Sequence, residues 1–244
     1  MRNIKLTIEY DGTGFFGFQK QKRLRTVQSE LESALEKLFQ KKITVIASGR
    51  TDSGVHAEAQ IIHFKVNSRI PLFKIEQGLN RYLPEDMAVI ASEEAPSKFH
   101  AQFSARSKTY EYRVWNSKAR SPLNRFRTFH FPYSLDLRMM KRAARLLSGT
   151  HDFRAFEASG GRRKSAVRTI QSFSIKKEGK MISFTVVSNG FLYKMVRSMV
   201  GTLLEIGSGR LSLVRFKEIL ASKDRSQAGP TVPPQGLFLK EVKY

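Results

Sequence analysis

The residues best suited to chemistry lie in one short stretch, Ser48-Gly49-Arg50-Thr51-Asp52-Ser53-Gly54-Val55-His56-Ala57. It carries a guanidinium, a carboxylate and an imidazole, with a glycine near each end. An ionised carboxylate can serve as a nucleophile or a base, and a guanidinium can hold an anion. Apolar, largely β-branched residues precede the stretch (Ile43 to Ala47) and follow it (Ile61, Ile62, Phe64, Val66). Both flanks therefore read as strands, and the stretch as the loop that joins them. Aspartate and glycine between strands also make an ordinary turn. A lone histidine such as His56 is more often a hydrogen-bonded structural residue. Ser48, Asp52 and His56 match a nucleophile triad in composition only, because adjacency in sequence does not create triad geometry.

Two more candidates stand outside that loop. Arg197 falls in an apolar helical pattern, Phe191 to Ile206, on a narrow stripe with Tyr193 and Gly201. Apolar rows flank the stripe on both sides (Leu192, Val196, Val200; Met195, Met199, Leu203). An arginine in such a setting either has a carboxylate or phosphate partner or is simply exposed. Tyr110 shares a strand face with Tyr112 and Val114. That face is either packed core or a stacking platform for an unpaired base.

The elements that must position these residues follow from periodicity. Asn3 to Tyr10 alternates as a strand. Thr26 is a helix cap, with Glu30 near the positive end, and Val27, Leu31, Ala34, Leu35 and Leu38 repeat at helical spacing. After the central loop and its strands, Pro71 opens a helix with Leu72, Ile75, Leu79 and Leu83 on one face, and Met87 to Ala91 is a strand. The first half reads β-α-β-β-α-β. The second half is expected to repeat that order. Its parts are a strand at Thr109 to Trp115, a helix from Ser134 or Asp136 ended by Gly149, a hairpin (Arg168 to Lys176, Met181 to Val187), and the Phe191 helix. An added helix spans Leu213 to Leu220, and Gly236 to Val242 is the closing strand. Ser117 to Tyr133 and Glu157 to Lys164 read as irregular, the latter as a loop that orders on RNA. The predicted fold class is α+β, with two RRM/ferredoxin-like halves, residues 1–104 and 105–244, mainly antiparallel sheets, and helices outside. Gly12-Thr13-Gly14-Phe15-Phe16-Gly17 has the form G-x-G-x-x-G. It lacks the helix that a dinucleotide turn opens into, so it reads as a glycine-rich loop beside a site.

Composition narrows the partner. Lys and Arg number 43 against 21 Asp and Glu, a formal charge of +22. The basic residues are dispersed, with clusters at Lys20 to Arg25, at Arg162 to Lys164, and along Arg138, Lys141, Arg142 and Arg145. With 18 Phe and 7 Tyr, this balance points to nucleic acid rather than a membrane surface. The absence of cysteine excludes disulfides, thiolate–zinc sites and thiol nucleophiles, and fits a reducing compartment. No apolar run is long enough to span a membrane, and the start does not read as a signal peptide. G-x-S-x-G and H-E-x-x-H motifs are lacking.

Taken together, the motifs resemble those of the TruA-type tRNA pseudouridine synthases over almost the whole chain. The resemblance rests on Tyr10-Asp11-Gly12 with Gln19 and Gln21, Thr26-Val27-Gln28, Gly49 to Ala57, Lys108-Thr109-Tyr110-Glu111-Tyr112 and His151-Asp152-Phe153. It continues in Asn189 to Arg197, Gly229-Pro230-Thr231 and Gly236-Leu237. Phe18 stands where the family usually has tryptophan, and Ser53 where it has alanine. The resemblance implies isomerisation of uridine to pseudouridine at positions 38, 39 or 40 of the tRNA anticodon stem-loop. It implies no metal or cofactor, a homodimer in the cytoplasm, and a catalytic cleft between the halves. Asp52 is then the nucleophile, Arg197 its ion partner and Tyr110 the ring that stacks on the flipped uracil. Arg50 fills the vacated space, and Leu237 or Leu239 lines the pocket. The rival reading is a non-catalytic RNA-binding protein or RNA chaperone built on RRM-like units, although no RNP1 octapeptide supports it.

Overall fold

A computed structural model describes residues 1–161 and 165–244. The basic cluster Arg162–Lys164, and with it the end of the loop expected from Glu157 onward, lies outside the described residues. By their contacts the residues form two compact units, Met1–Arg106 with Phe238–Tyr244, and Ser107–Leu237.

Alternation builds the first unit. In β1 (Arg2–Tyr10) Ile4, Leu6, Ile8 and Tyr10 are buried, as the period of two requires for a strand with one face on the core. The chain then enters α1 (Val27–Phe39). Thr26 and Ser29 exchange side-chain and backbone hydrogen bonds as a capping box, a feature worth about 1 kcal/mol. Val27, Leu31, Ala34 and Leu35 form the buried face. Of the strand expected from Ile43, only β2 (Ile46–Ala47) forms, because the Val45 amide donates to the Glu32 carboxylate instead of to a neighbouring strand. β3 (His56–Val66) runs antiparallel to β1, with Ile4 opposite Phe64 and Leu6 opposite Ile62. α2 (Leu72–Tyr82) starts after Pro71 and buries Ile75 and Leu79, and β4 (Met87–Ala95) pairs antiparallel with the other edge of β1.

The second unit is built on β5 (Ser107–Asn116). The short β6 (Phe129–Phe131) lies parallel to its end, inside a segment expected to be irregular. α3 (Leu137–Leu146) is capped by Asp136, which accepts from the Arg138 and Met139 amides. The helix stops before Gly149, whose φ of +102° opens β7 (Gly149–Asp152) instead. β8 (Val167–Glu178) and β9 (Met181–Ser188) form the expected hairpin, turning at Gly179 with φ +57°. The strands run in the order β5-β9-β8-β7, each pair antiparallel. α4 (Met195–Gly207) begins four residues later than the apolar pattern suggests, because Lys194 adopts φ +58° and ψ 12°, outside the helical region. Tyr193 therefore precedes the helix and is exposed, so the expected Tyr193–Arg197–Gly201 stripe loses its first member. α5 (Leu213–Ser222) follows.

The closing strand, β10 (Leu237–Lys243), pairs in parallel with β3, with Phe238 opposite His56 and Leu239 opposite Ala57. Three consecutive buried residues, Leu237, Phe238 and Leu239, mark a strand covered on both faces. The fold is α+β, mainly antiparallel, with helices packed on the sheets. Among the described residues no helix is long and apolar enough to cross a membrane.

Candidate active site

In the first unit the loop 48–57 is fixed at every third residue or so. At its base the Ser48 amide donates to the Ile61 carbonyl (2.7 Å). The Ser48 hydroxyl donates to Gln60 Oε1 (2.5 Å), and Gln60 Nε2 donates to the Gly49 carbonyl (2.8 Å). Gln60 is fully buried, so one amide side chain locks the entry to the loop. In the middle, Thr51 Oγ1 shares a hydrogen bond with the Tyr10 hydroxyl (2.8 Å), and its carbonyl accepts from the Phe18 amide (3.0 Å). Burial pushes the Tyr10 hydroxyl up to about 12, with Thr51 and Gln60 pulling the other way. The hydroxyl therefore stays protonated at neutral pH. Beyond it the Val55 amide closes onto the Asp52 carbonyl (3.2 Å), and Gly54, with φ +77°, completes the turn.

A second loop presses on the first. A Cβ on Gly12 would lie 2.1 Å from the Val55 carbonyl oxygen, and one on Gly17 would lie 3.0 Å from that of Thr51. Gly17 also has φ +86°, a conformation that glycine tolerates best. Gly12 and Gly17 of the G-x-G-x-x-G segment thus permit loop-on-loop packing. Arg25 holds this second loop in place. It makes two 2.7 Å bonds to Asp86 and lies 4.3 Å from the centre of the Phe15 ring, and Asp86 raises its basicity further. Arg25 and Lys20, which pairs with Glu32 at 3.0 Å, are consequently structural members of the basic cluster at Lys20 to Arg25. Both departures from the family pattern are accommodated. Phe18 is buried and engages the loop through its backbone, and the Ser53 hydroxyl donates to the Phe15 carbonyl (3.2 Å).

On this scaffold Asp52 is half-buried and Arg50 is exposed. His56 is buried, its Nδ1 accepting from the Gly12 amide at 3.0 Å and its ring stacked on Phe238 at 4.6 Å. Asp11 Oδ1 also lies 3.2 Å from Nδ1. A nitrogen that accepts from an amide has no proton for the carboxylate, so the amide bond defines the ring's role. His56 is the structural residue that its lone position suggested. Leu239 is buried in β10, opposite Ala57 at the loop's exit.

The second unit holds Tyr110, Arg197 and Leu237. Tyr110 is mostly buried and meets Phe191 edge-on at 5.0 Å. Arg197 is only 9% exposed, which decides against a solvated arginine. Its Nε donates to the Val232 carbonyl (2.8 Å), and the Tyr112 hydroxyl donates to the next carbonyl, that of Pro233 (2.7 Å). Burial holds the Tyr112 hydroxyl well above the usual tyrosine range, with the Arg197 charge pulling it back. Segment 229–233 is in turn fastened to α4. The Gly229 amide donates to Thr202 Oγ1 (3.0 Å), Ser198 and Thr231 share a hydrogen bond (3.1 Å), and a Cβ on Gly201 would lie 1.8 Å from the Pro230 carbonyl oxygen. Leu237 is buried at the start of β10. Periodicity placed Tyr112 and Gly201 on their faces without a role, and had not singled out Gln60 or the 229–233 segment. Their signal lies in the motifs Tyr110-Glu111-Tyr112 and Gly229-Pro230-Thr231. Among the described residues no group of three or more histidines and acids is placed to hold a metal.

Residues 6–104 and 143–244 match a family model described as tRNA pseudouridine synthase. The chain is 46% identical, over the full length of both proteins, to tRNA pseudouridine synthase A of Acetivibrio thermocellus. It is also 46% identical, again over the full length of both, to tRNA pseudouridine synthase A 2 of Clostridium perfringens. A solved Cbf5–Nop10–Gar1 complex aligns over 99% of this chain and 58% of that chain, with a TM-score of 0.40 and 9% identity, a remote likeness only. A non-catalytic RNA-binding protein is thereby set aside: the chain belongs to the tRNA pseudouridine synthase family, enzymes that isomerise uridine to pseudouridine.

Proposed function

We propose that this enzyme converts uridine to pseudouridine at positions 38, 39 or 40 of the tRNA anticodon stem-loop, with Asp52 as nucleophile. The observation that carries this reading is the Asp52 loop itself. The loop is fixed by Gln60 and Phe18 at its backbone and by Tyr10 at the Thr51 hydroxyl, while Asp52 remains half-buried at its turn. Such pre-organisation suits a carboxylate that must form and release a covalent bond.

In this reading the target uridine leaves its helix at a cost of a few kcal/mol, which stacking and phosphate contacts offset. The exposed Arg50 fills the space that the nucleotide vacates. The ionised Asp52 adds to the nucleoside, at C6 of the base or C1′ of the ribose. The N1–C1′ bond breaks, the uracil turns, and C5 bonds to C1′. The C5 proton then leaves, N1 takes up a proton and Asp52 is released, so atoms balance without an oxidant or hydrolytic water. Arg197 is the residue that the family resemblance assigns as the ion partner of Asp52. Tyr110 stacks on the uracil, and Leu237 and Leu239 supply apolar lining. Asp52 and Arg50 belong to the first compact unit, and Tyr110 and Arg197 to the second. The working form is a cytoplasmic homodimer, in keeping with the family resemblance and the lack of cysteine.

The test is incubation with an unmodified tRNA transcript, followed by mapping of pseudouridine. Pseudouridine confined to positions 38–40 is the expected result. Modification elsewhere, or none, would refute the site assignment.

A further inference from the structure

The connection between β5 and β6 has no part in the chemistry above. With neighbouring residues of the second unit it encloses a cavity of about 470 Å³, lined by Trp115, Arg120, Arg125, Thr128, His130 and Gln235 among others. That volume lies within the range of small-molecule sites. No acidic side chain is among the lining residues.

The walls offer two kinds of recognition. Trp115 is the chain's single tryptophan, half-buried, with its indole plane set by a bond from Nε1 to the Ala119 carbonyl (3.1 Å). Arg120 and Arg125 supply positive charge. Arg125 is steadied by a bond to the Pro122 carbonyl (2.8 Å) and lies 4.1 Å from the centre of the exposed Phe126 ring. Two bonds define the polar groups. His130 Nε2 lies 2.8 Å from the Ser117 carbonyl, which cannot donate, so Nε2 carries the proton. Thr128 Oγ1 donates to the Asn124 carbonyl (2.9 Å) and keeps its lone pairs. A ligand that is at once anionic, flat and hydrogen-bonding meets all of these features.

We propose that this cavity holds one nucleotide of an RNA, with its phosphate at Arg120 and Arg125 and its base against Trp115. It is a second site, separate from that of the reacting uridine. Tyr110 and Trp115 are five residues apart on a strand paired without a break to β9, which puts them on opposite faces and roughly 17 Å apart along the sheet. Base-on-indole stacking is tolerant of sequence, so the cavity anchors RNA at a distance from the chemistry. The choice of RNA over a free nucleotide rests on the tRNA reading above.

Because Trp115 is the only tryptophan, its fluorescence reports on this cavity alone. The full-length protein is titrated with unmodified tRNA transcript and, separately, with uridine 5′-monophosphate. Binding is followed in parallel by anisotropy of labelled tRNA, and modification by pseudouridine mapping. tRNA is expected to quench Trp115 saturably, with the midpoint seen by anisotropy. Arg120→Gln with Arg125→Gln is expected to shift that midpoint about tenfold weaker, with an unchanged circular dichroism spectrum. If tRNA binds and is modified but Trp115 does not respond, the cavity is not an RNA site and the tRNA reading stands. If the nucleotide quenches and bound tRNA does not, the RNA source is overturned. If tRNA is neither bound nor modified, the tRNA reading falls and the proposal falls with it.

Discussion

Lys108 lies two residues before Tyr110 on β5, on the same strand face. Burial, and then the nearby Arg168 charge, push its ammonium down to about 8 from 10.5. A lysine whose folded value is depressed binds fewer protons in the folded state than in the unfolded one. The fold therefore gains stability as pH rises from about 8 toward 10.5, and carries the full penalty below 8. At about 1.4 kcal/mol for each pKa unit, the penalty reaches at most about 3–4 kcal/mol. Above pH 10 the buried Tyr10 acts in the opposite sense. Its hydroxyl is raised to about 12, so stability is lost as pH climbs from 10 to 12. Urea denaturation of the wild type is expected to show rising stability between pH 8 and 10, and Lys108→Met to flatten that rise. Equal slopes in the two proteins would refute the buried-cation argument. The sequence marked Lys108 only as a motif residue and not its titration, which depends on what packs over the strand and not on its neighbours in the chain.

At the scale of elements, α4 and the 229–233 segment behave as one piece. Gly201 lets the Pro230 carbonyl rest against the helix, and Arg197 and Tyr112 grip the Val232 and Pro233 carbonyls. Gly201→Ala forces that segment away and is expected to cost about 1–3 kcal/mol. Calorimetry should record a thermal midpoint several degrees lower, and kcat should fall as Arg197 loses its anchor. An unchanged midpoint would mean that the segment yields freely. The sequence revealed the elements whose burial is periodic: the alternation of Ile4, Leu6, Ile8 and Tyr10, the α1 stripe and the Gly179 hairpin all formed as read. It did not reveal where pairing is set by distant partners. The closing strand was expected to end the second half, and instead it lies parallel to β3. No local pattern encodes such a partner. The Phe191–Lys194 turn was read as part of the apolar helical pattern that follows it, but the backbone at Lys194 interrupts it. The candidate loop was visible in residue types. Its rigidity was not, since Gln60 and Gly12 act on it from outside.

The whole molecule carries a formal charge of +22, spread over both units. The basic face of α3 (Arg138, Lys141, Arg142, Arg145) is exposed and makes no ion pair among the described residues. Association with tRNA should therefore release counterions, and affinity should fall by about tenfold or more between 50 and 200 mM salt. Filter binding across that range measures it, and a flat response would separate the basic surface from RNA binding. The central claim is covalent chemistry at residue 52, and its most direct measurement is tritium release from [5-³H]uridine-labelled tRNA by Asp52→Asn and Asp52→Ala. Release is expected to fall by about a thousandfold or more, with tRNA affinity, dominated by phosphate contacts, changed by less than about threefold. Tritium release at the wild-type rate from either variant would contradict Asp52 as the nucleophile.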